Sequence, residues 1–383
     1  MRILQLTRSL SPTGGICHVA YNLAREFRRS GIPVTNATWF PPRGSGSVDL
    51  GDLHGSRLGA LCRLIPAKHV RSLFEIPLFT IWATAWAHSH PDDIVIAHGD
   101  SMSGDLFVAH SCHRAAIGAK HKAGNRRWLL YPLHWFLLLR EWAVFRGAST
   151  PYVVAISSWV RDELKRHYGV RDERIFTIPN GVDTDRFRPV TDKAGLRRKL
   201  GLREDGLLVL FVSNIFGAKG LECAIRTLTR PSVPDHCDLV VVGGDRAQPY
   251  RKLAVALGVS ERVRFAGFVD SVEEYFAAAD AFLLLSDYEA FGLVGLEALA
   301  SGVPLISGGV GGIGEYLRDG ENGLLVERNP DSVARALGAL ARDPALRERL
   351  SKNARKSAEP FGWNRVAARY LEVCERIHRE KGL

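Results

Sequence analysis

Two glutamates eight residues apart are the most informative chemical feature of this sequence. Glu289 and Glu297 bracket the run EAFGLVGLE, which is followed by ALASGVP. The apolar residues before Glu289 predict a strand, and the residues after Gly292 predict a helix. Glu289 then lies on the connecting loop and Glu297 within the helix. Ionised carboxylates only accept hydrogen bonds and so suit vicinal hydroxyls, whereas the free amides at the helix start suit a phosphate.

A lysine and a glycine pair follow other predicted strands and indicate further phosphate contacts. Residues 214–220, NIFGAKG, follow a predicted strand at 207–212 and open a helix. Lys219 is therefore a point charge beside a helix N-terminus. Gly14 and Gly15 follow the first predicted strand and allow a backbone to approach a phosphate closely. They do not form the GxGxxG fingerprint, which disfavours an NAD-dependent oxidoreductase.

Strand-like apolar runs alternate with amphipathic segments along the whole chain. This alternation predicts parallel sheets with helices on both faces, so the expected fold class is α/β, with two Rossmann-like doubly wound domains facing a central cleft. The expected domains are residues 1–183 and 184–362, because PNGVDTDRFRP (179–189) has the prolines and Asn-Gly turn of a linker. Residues 363–383 are expected to form a helix that packs back on the first domain. The predicted strands are 3–6, 33–39, 93–97, 106–109, 153–156, 207–212, 238–242, 263–265, 281–285 and 304–306.

The charge is unevenly distributed. The 383 residues carry a net charge of +10, and residues 1–185 hold 22 Lys and Arg against 15 Asp and Glu. A one-sided basic surface predicts an anionic partner, and an anionic membrane surface fits better than nucleic acid because no nucleic-acid motif accompanies the charge. The six cysteines lack zinc or redox spacing and indicate a reduced, cytoplasmic protein.

Two segments of the N-terminal half bear on membrane contact. Residues 57–71 mix basic and apolar side chains, and residues 128–142 are rich in aromatic residues and leucine but too short to span a bilayer. We interpret 128–142 as a core helix. The overall charge of the domain favours peripheral binding at the inner face of the plasma membrane. The start, MRILQLTRSL, is interpreted as a strand rather than a signal peptide.

The chain resembles glycosyltransferase family 4, whose members adopt the two-domain GT-B fold. The resemblance covers almost the whole chain and implies a retaining transferase that moves a hexose from a UDP- or GDP-sugar to a glycan or lipid-linked acceptor. It places the reaction in lipopolysaccharide or other cell-surface polysaccharide biosynthesis and implies no cofactor and no metal. The acceptor would bind to the first domain and the nucleotide sugar to the second. The motifs that carry the resemblance are EAFGLVGLE, Gly14-Gly15, AISSWVRDEL, IPNGVDTDRF, Lys219-Gly220 and GGVGGIGEYLRDGENGLLV.

The resemblance also implies roles for individual residues. Glu289 would hold hydroxyls of the donor hexose, and Glu297 would hold those of the ribose. Lys219 and Gly15, with Gly14, would contact the phosphates. The other expected donor contacts are Asn214 in the phosphate loop, Phe268 near the nucleobase and the backbone at Phe291, Gly292 and Leu293.

One histidine is expected in the active site. His110 is the best match to the histidine of the family, and His98 and His113 are the alternatives. The expected catalytic residues are thus His110, Glu289 and Lys219.

Position 214 departs from the usual pattern. The family commonly has an arginine five residues before the lysine, whereas this chain has Asn214, like the branch that includes lipopolysaccharide-core glucosyltransferase I. Either fewer charges bind the phosphates or another basic residue, such as Arg161, completes the site. The departure leaves open a non-catalytic sugar-nucleotide-binding protein or a reassigned enzyme, such as an epimerase, a disaccharide phosphorylase or a synthase. The DxD string from Asp183 to Asp185 is interpreted as a turn rather than a metal site.

Overall fold

The chain forms two compact units in a computed structural model that describes residues 1–12, 14–40, 52–62, 65, 68–122, 127–147 and 151–383. One unit, the N-unit, contains Met1–Gly181 and Trp363–Leu383, and the other, the C-unit, contains Val182–Gly362. The division falls two residues before the boundary expected from the linker. Part of the basic and apolar stretch 57–71 lies outside the described residues.

The N-unit is built on one parallel sheet. Its strands are β1 (Ile3–Thr7), β2 (Val34–Thr38), β3 (Asp52–Gly55), β4 (Ile94–Ala97), β5 (Leu106–Ala109), β6 (Tyr152–Ala155) and β7 (Ile175–Thr177). Their order is β3-β2-β1-β4-β5-β6-β7, so the winding direction changes between β1 and β4. Ligands of doubly wound sheets bind at such a switch point, beyond the carboxyl ends of the strands.

Helices cover the N-unit sheet. They are α1 (Ile16–Arg29), α2 (Arg57–Cys62), α3 (Lys68–Ser89), α4 (His113–Lys122), α5 (Pro132–Arg146), α6 (Ser158–Tyr168) and the final helix, α14 (Trp363–Lys381). Helix α14 contacts α1 and β4, and it buries Trp363, Val366 and Tyr370 among other residues. The end of the chain thus belongs to the core of the N-unit.

The C-unit has a second parallel sheet of the same kind. Its strands are β8 (Leu207–Val212), β9 (Cys237–Val242), β10 (Val263–Gly267), β11 (Ala281–Leu284), β12 (Leu305–Ser307) and β13 (Gly323–Leu325). Their order is β10-β9-β8-β11-β12-β13, which puts the switch point between β8 and β11. The loops that follow β8 and β11 contain Lys219 and Glu289, respectively.

The C-unit helices close a continuous apolar core. They are α7 (Lys193–Lys199), α8 (Leu221–Thr227), α9 (Gln248–Ala256), α10 (Val272–Ala278), α11 (Leu293–Ala300), α12 (Pro330–Arg342) and α13 (Pro344–Ala358). Short 3-10 turns lie at Arg127–Leu130, Asp172–Arg174, Ser260–Arg262, Gly311–Glu315 and Glu359–Phe361. The core includes Phe211 and Leu283 from the central strands and Leu337 from α12. This packing fixes the strand ends from which the loops emerge.

The interpretation of residues 128–142 as a core helix is wrong. Helix α5 buries Leu133 and Phe145 but leaves Trp135 and Trp142 more than half exposed and Leu139 64% exposed. The two charged residues of the segment, Arg140 and Glu141, are themselves buried, so the polar pattern of the sequence does not mark the exposed face. Among the described residues, no helix is both long and apolar enough to cross a membrane.

Candidate active site

Glu289 is held by three loops of the C-unit. Its carboxylate pairs with Lys219 and accepts a hydrogen bond from Ser286 Oγ at 3.0 Å. Its backbone carbonyl accepts a hydrogen bond from the Gly312 amide at 2.9 Å. A Cβ on Gly311 would lie 1.9 Å from the same carbonyl oxygen, so only glycine permits this approach. The carboxylate therefore has a defined position at the carboxyl ends of β8 and β11.

Gly220 brings the Lys219 loop against the Glu289 loop. Its φ is 84°, and a Cβ there would lie 2.6 Å from the carbonyl oxygen of Leu285. The Asp287 amide donates a hydrogen bond of 3.2 Å to the carbonyl of Ala218, which joins the two loops a second time. The side chain of Lys219 is 24% exposed, so its ammonium group remains accessible to a ligand.

Arg328 also links these loops, and the sequence pattern gave no reason to select it. It follows β13, donates a hydrogen bond of 3.3 Å to the Gly217 carbonyl and forms an ion pair with Asp287. Its guanidinium has several donors in a fixed fork and can therefore bind both loops at once. This arrangement places a second positive charge beside the loop whose usual arginine is absent.

The start of α11 presents backbone amides beside Glu289. Gly292 caps the helix with a φ of 83°, and no side chain among the described residues caps it. The first amides of a helix lack intrahelical partners and carry the positive end of its dipole. Tyr316, which the sequence analysis missed, is buried and donates to the carbonyls of Phe291 and Gly292 at 3.0 and 2.7 Å. The turn is therefore fixed from within the core.

Glu297 lies within α11 and has a different environment from Glu289. It is half-buried in α11. Burial raises the pKa of Glu297 to about 7, while Arg186 opposes the rise and Glu273 adds to it. Near neutral pH this carboxyl can therefore be protonated and can donate a hydrogen bond as well as accept one.

The remaining predicted donor-site residues of the C-unit differ in accessibility. Phe291 is buried, so only its backbone can contact a ligand, and Leu293 is half-buried. Phe268 follows β10 and is 73% exposed, which leaves its ring free to stack. Asn214 accepts a hydrogen bond from the Gly244 amide at 3.0 Å, so its side chain joins the loops after β8 and β9.

In the N-unit, the glycine pair lies in the loop between β1 and α1, beside the switch point between β1 and β4. Gly14 has a φ of 107°, a conformation that favours glycine. A Cβ on Gly15 would meet no atom within 4 Å, so the packing of the unit itself does not require glycine there. The open space and the N-terminus of α1, which no side chain of the described residues caps, are compatible with an anion at this point. Thr13 lies outside the described residues.

The three candidate histidines have different surroundings. His98 is 1% exposed, and its Nδ1 lies 3.3 Å from His110 Nε2. His113 begins α4 and pairs with His134 at 3.1 Å. Burial lowers the pKa of His110 and that of His113 to about 4 each, so both imidazoles are neutral at pH 7. His110 is only half-buried and stands at the end of β5, next to the switch point.

Two other sequence features have partners within their own units. Arg161, considered as a substitute for the missing arginine, pairs with Asp172 on the N-unit. Asp183 accepts hydrogen bonds from the amides of Asp185 and Arg186 at 3.2 and 3.0 Å, which is the geometry of an aspartate turn. No group of three or more His, Cys, Asp or Glu that could hold a metal occurs within the described part of the chain.

Two doubly wound units in one chain are the architecture of the GT-B fold. The crystal structure of WaaG, a glycosyltransferase involved in lipopolysaccharide biosynthesis, has a TM-score of 0.80 and 23% identity, covering 98% of this chain and 99% of that one. The crystal structure of Anabaena HepE in complex with UDP has a TM-score of 0.73 and 20% identity, covering 98% and 100% of the two chains. At these identities the likeness is one of fold.

Sequence comparison defines the family. Residues 13–186 match the family described as Glycosyltransferase Family 4, and residues 192–357 match Glycosyl transferases group 1. The chain therefore belongs to the GT-B glycosyltransferases that these two domains characterise. The D-inositol 3-phosphate glycosyltransferase of Streptomyces bingchenggensis is 38% identical over 226 residues, which are 55% of this chain and 50% of that protein. The chain spans about half the length of the curated relatives it matches.

The packing of Tyr316 under α11 gives a stability prediction. A Cβ on Gly295 would lie 2.5 Å from Tyr316 Oη, so Gly295→Ala should destabilise the protein by about 1–3 kcal/mol despite the higher helix propensity of alanine. Tyr316→Phe removes the clashing oxygen. Urea unfolding of both single variants and the double variant should therefore give a favourable coupling of about 1 kcal/mol. Additive effects would show that Oη is not the obstacle.

The environment of Glu297 gives a pH prediction. Folding raises its pKa, so its contribution to stability is complete below the ordinary glutamate pKa and is lost as the pH rises through about 7. Glu297→Gln lacks this titration. The unfolding free energy of the variant minus that of the wild type should therefore increase between about pH 5 and pH 8 in urea titrations. A difference that does not change with pH would contradict a raised pKa, and Glu261→Gln, an exposed acid, is the matched control.

Proposed function

We propose that the protein is a retaining glycosyltransferase that transfers a hexose from a nucleoside-diphosphate sugar to a glycan or lipid-linked acceptor. The observation that carries the proposal is the Lys219–Glu289 pair beside the open amides of α11, at the switch point of the C-unit. A cation, helix amides and an acceptor-only carboxylate within one loop cluster match the groups of such a donor: a diphosphate next to a polyhydroxyl ring.

Each part of the donor has a proposed partner. The diphosphate binds Lys219 and the amides at the start of α11, and the hexose hydroxyls bind Glu289. The ribose hydroxyls bind Glu297, and the exposed ring of Phe268 stacks on the base. Crystal structures show HepE in complex with UDP and with UDP-glucose, so UDP-glucose is the first donor to test here and a GDP-sugar the second.

The proposed chemistry depends on stabilising the leaving group. Departure of the nucleoside diphosphate develops negative charge on its terminal phosphate, and Lys219 with the α11 amides offsets that charge without reorganisation. Arg328 links the two loops through Gly217 and Asp287 and so helps to fix their relative position. The acceptor hydroxyl attacks from the face the diphosphate leaves, which retains the anomeric configuration. We propose that no metal ion takes part, so activity should persist in a chelator.

Acceptor recognition is assigned to the N-unit, and we propose that a membrane surface presents the acceptor. Helix α3 exposes Phe74, Leu78 and Ile81 at helical spacing, and α5 exposes a second apolar stripe at the same spacing, formed by Trp135, Leu139 and Trp142. The two helices contact each other, and Ser72 Oγ lies 2.9 Å from Tyr131 Oη where they begin.

These two stripes, here called the α3–α5 stripes, suit the interface of an anionic bilayer. Aromatic and aliphatic side chains enter the acyl boundary, and the excess positive charge of residues 1–185 is attracted to anionic headgroups. A lipid-linked glycan of cell-surface polysaccharide biosynthesis, including lipopolysaccharide, would be held at such a surface. We propose a cytoplasmic protein that binds the inner face of the plasma membrane peripherally.

The donor assignment predicts the effect of two substitutions. Glu289→Gln and Lys219→Ala should each lower release of UDP from UDP-glucose, in the presence of a glycolipid extract, by about 100-fold because transition-state contacts are lost. Circular dichroism should show that both variants fold. Glu261→Gln, on an exposed 3-10 turn, is the control and should keep activity within about twofold.

Product analysis separates the proposed transfer from its alternatives. UDP and a glycosylated product support transfer. Conversion of the donor to another nucleotide sugar without UDP release would establish an epimerase, and donor binding without any turnover would establish a non-catalytic protein. D-inositol 3-phosphate belongs in the acceptor panel because the curated relatives carry it in their names.

The membrane assignment predicts the outcome of vesicle flotation. Ile81→Glu and Leu139→Glu should each reduce flotation with anionic vesicles roughly tenfold, because a charge must then enter the bilayer interface. Val255→Glu changes an equally exposed apolar residue of the C-unit and should float like the wild type. Unchanged flotation of the two stripe variants would contradict the assignment. A wild-type dimer that either stripe variant dissociates would identify a second copy as the partner instead.

A further inference from the structure

A buried chain of hydrogen bonds runs from the centre of β1 to His110. Gln5 interrupts the apolar pattern of β1, is 0% exposed and pairs in register with Asn36 on β2 and Ile96 on β4. Its side chain bonds to His98, which in turn bonds to His110. Buried polar groups in the middle of a central strand cost stability unless they are paired. The series of hydrogen bonds from Gln5 to His110 provides that pairing.

The orientation of the Gln5 amide is fixed by a backbone carbonyl. Gln5 Nε2 lies 3.3 Å from the carbonyl oxygen of Ala20 and 3.0 Å from Asn36 Oδ1. A carbonyl oxygen can only accept, so the amide nitrogen must face Ala20 and the amide oxygen must face the other way. Gln5 Oε1 therefore faces His98 Nε2 at 2.8 Å.

This orientation sets the tautomer of His98. Because Gln5 Oε1 can only accept, His98 must carry its proton on Nε2 and donate it to Gln5. Burial, and then the neighbouring His110, lower the pKa of His98 well below its ordinary value, so the ring is neutral. Its Nδ1 is then an unprotonated acceptor that faces His110 Nε2 at 3.3 Å.

The tautomer of His110 is constrained by His98 in the same way. The only favourable pairing with a bare His98 Nδ1 is a proton on His110 Nε2, which leaves His110 Nδ1 unprotonated. Burial lowers the pKa of His110 to about 4, against the opposing charge of Asp100, so this ring is also neutral at pH 7. Among the described residues, none hydrogen-bonds to His110 Nδ1, and this nitrogen is not fully buried.

We propose that Gln5 is a positioning residue that acts through His98 to hold the proton of His110 on Nε2, so that Nδ1 accepts a hydrogen bond from a substrate hydroxyl. The proposal rests on the proposed function, because it takes His110 as the active-site histidine. The opposite tautomer would present an N–H group to the hydroxyl and remove the acceptor. Gln5 therefore acts on the site from within the sheet, without contacting substrate.

Long-range proton–nitrogen NMR of histidine-labelled protein tests the tautomers without any substrate. The wild type should show both His98 and His110 protonated on Nε2 only. Gln5→Met should let the His110 proton exchange between its two nitrogens and lower kcat about tenfold, with little change in the donor KM. Thr38→Val removes a buried hydroxyl on β2 outside this chain and should leave both the spectrum and kcat unchanged.

A pair of His98 variants keeps the test decisive if Gln5→Met fails to fold. His98→Gln can donate to Gln5 and accept from His110, so it should keep the His110 tautomer and rescue most activity. His98→Leu can do neither and should lose both. A wild-type His110 protonated on Nδ1, or a shifted tautomer without any loss of kcat, would overturn the proposal. If the tautomers are as stated but the wild type turns over no nucleotide sugar, the proposed function fails, and only the control of the His110 tautomer by Gln5 stands.

Discussion

The ion pair between Lys219 and Glu289 is the interaction on which the proposed donor site depends. It joins the loops after β8 and β11, which the switch point places side by side. Gly220 lets the loops touch, Gly311 lets a third loop reach the Glu289 carbonyl, and Arg328 bridges the first two. These opposite charges offset each other in the free protein, and we propose that a ligand replaces the pairing by offering phosphate to Lys219 and hydroxyls to Glu289.

The two units differ in the kind of polar groups that they hold at the ends of their strands. In the C-unit, charged groups and open amides lie at the surface of the loop cluster, where a diphosphate can reach them. In the N-unit, neutral groups are linked in series from Gln5 to His110, and the proposed result is a defined hydrogen-bond acceptor rather than a charge. The proposed diphosphate donor needs the first kind of site, and a substrate hydroxyl needs the second.

The sequence was sufficient for the parallel sheets and for the strand-to-helix loops that contain Lys219 and Glu289, because strand alternation and glycine-rich motifs are local signals. It missed β3, β7 and β13, which have only three or four residues and no distinct pattern. It also missed Arg328, Tyr316 and Gln5, whose roles come from partners distant in sequence. The exposed face of α5 could not be inferred, because its charged residues Arg140 and Glu141 are buried and do not mark the solvent side.

Isothermal titration of UDP and UDP-glucose against the wild type, Lys219→Ala and Glu289→Gln tests the central claim most directly. If Lys219 serves the diphosphate and Glu289 the sugar, Lys219→Ala weakens both ligands about tenfold or more. Glu289→Gln then weakens UDP-glucose alone and leaves UDP binding equal or tighter, because the lysine is released from its partner. Equal loss of UDP and UDP-glucose affinity in Glu289→Gln would contradict this division of roles.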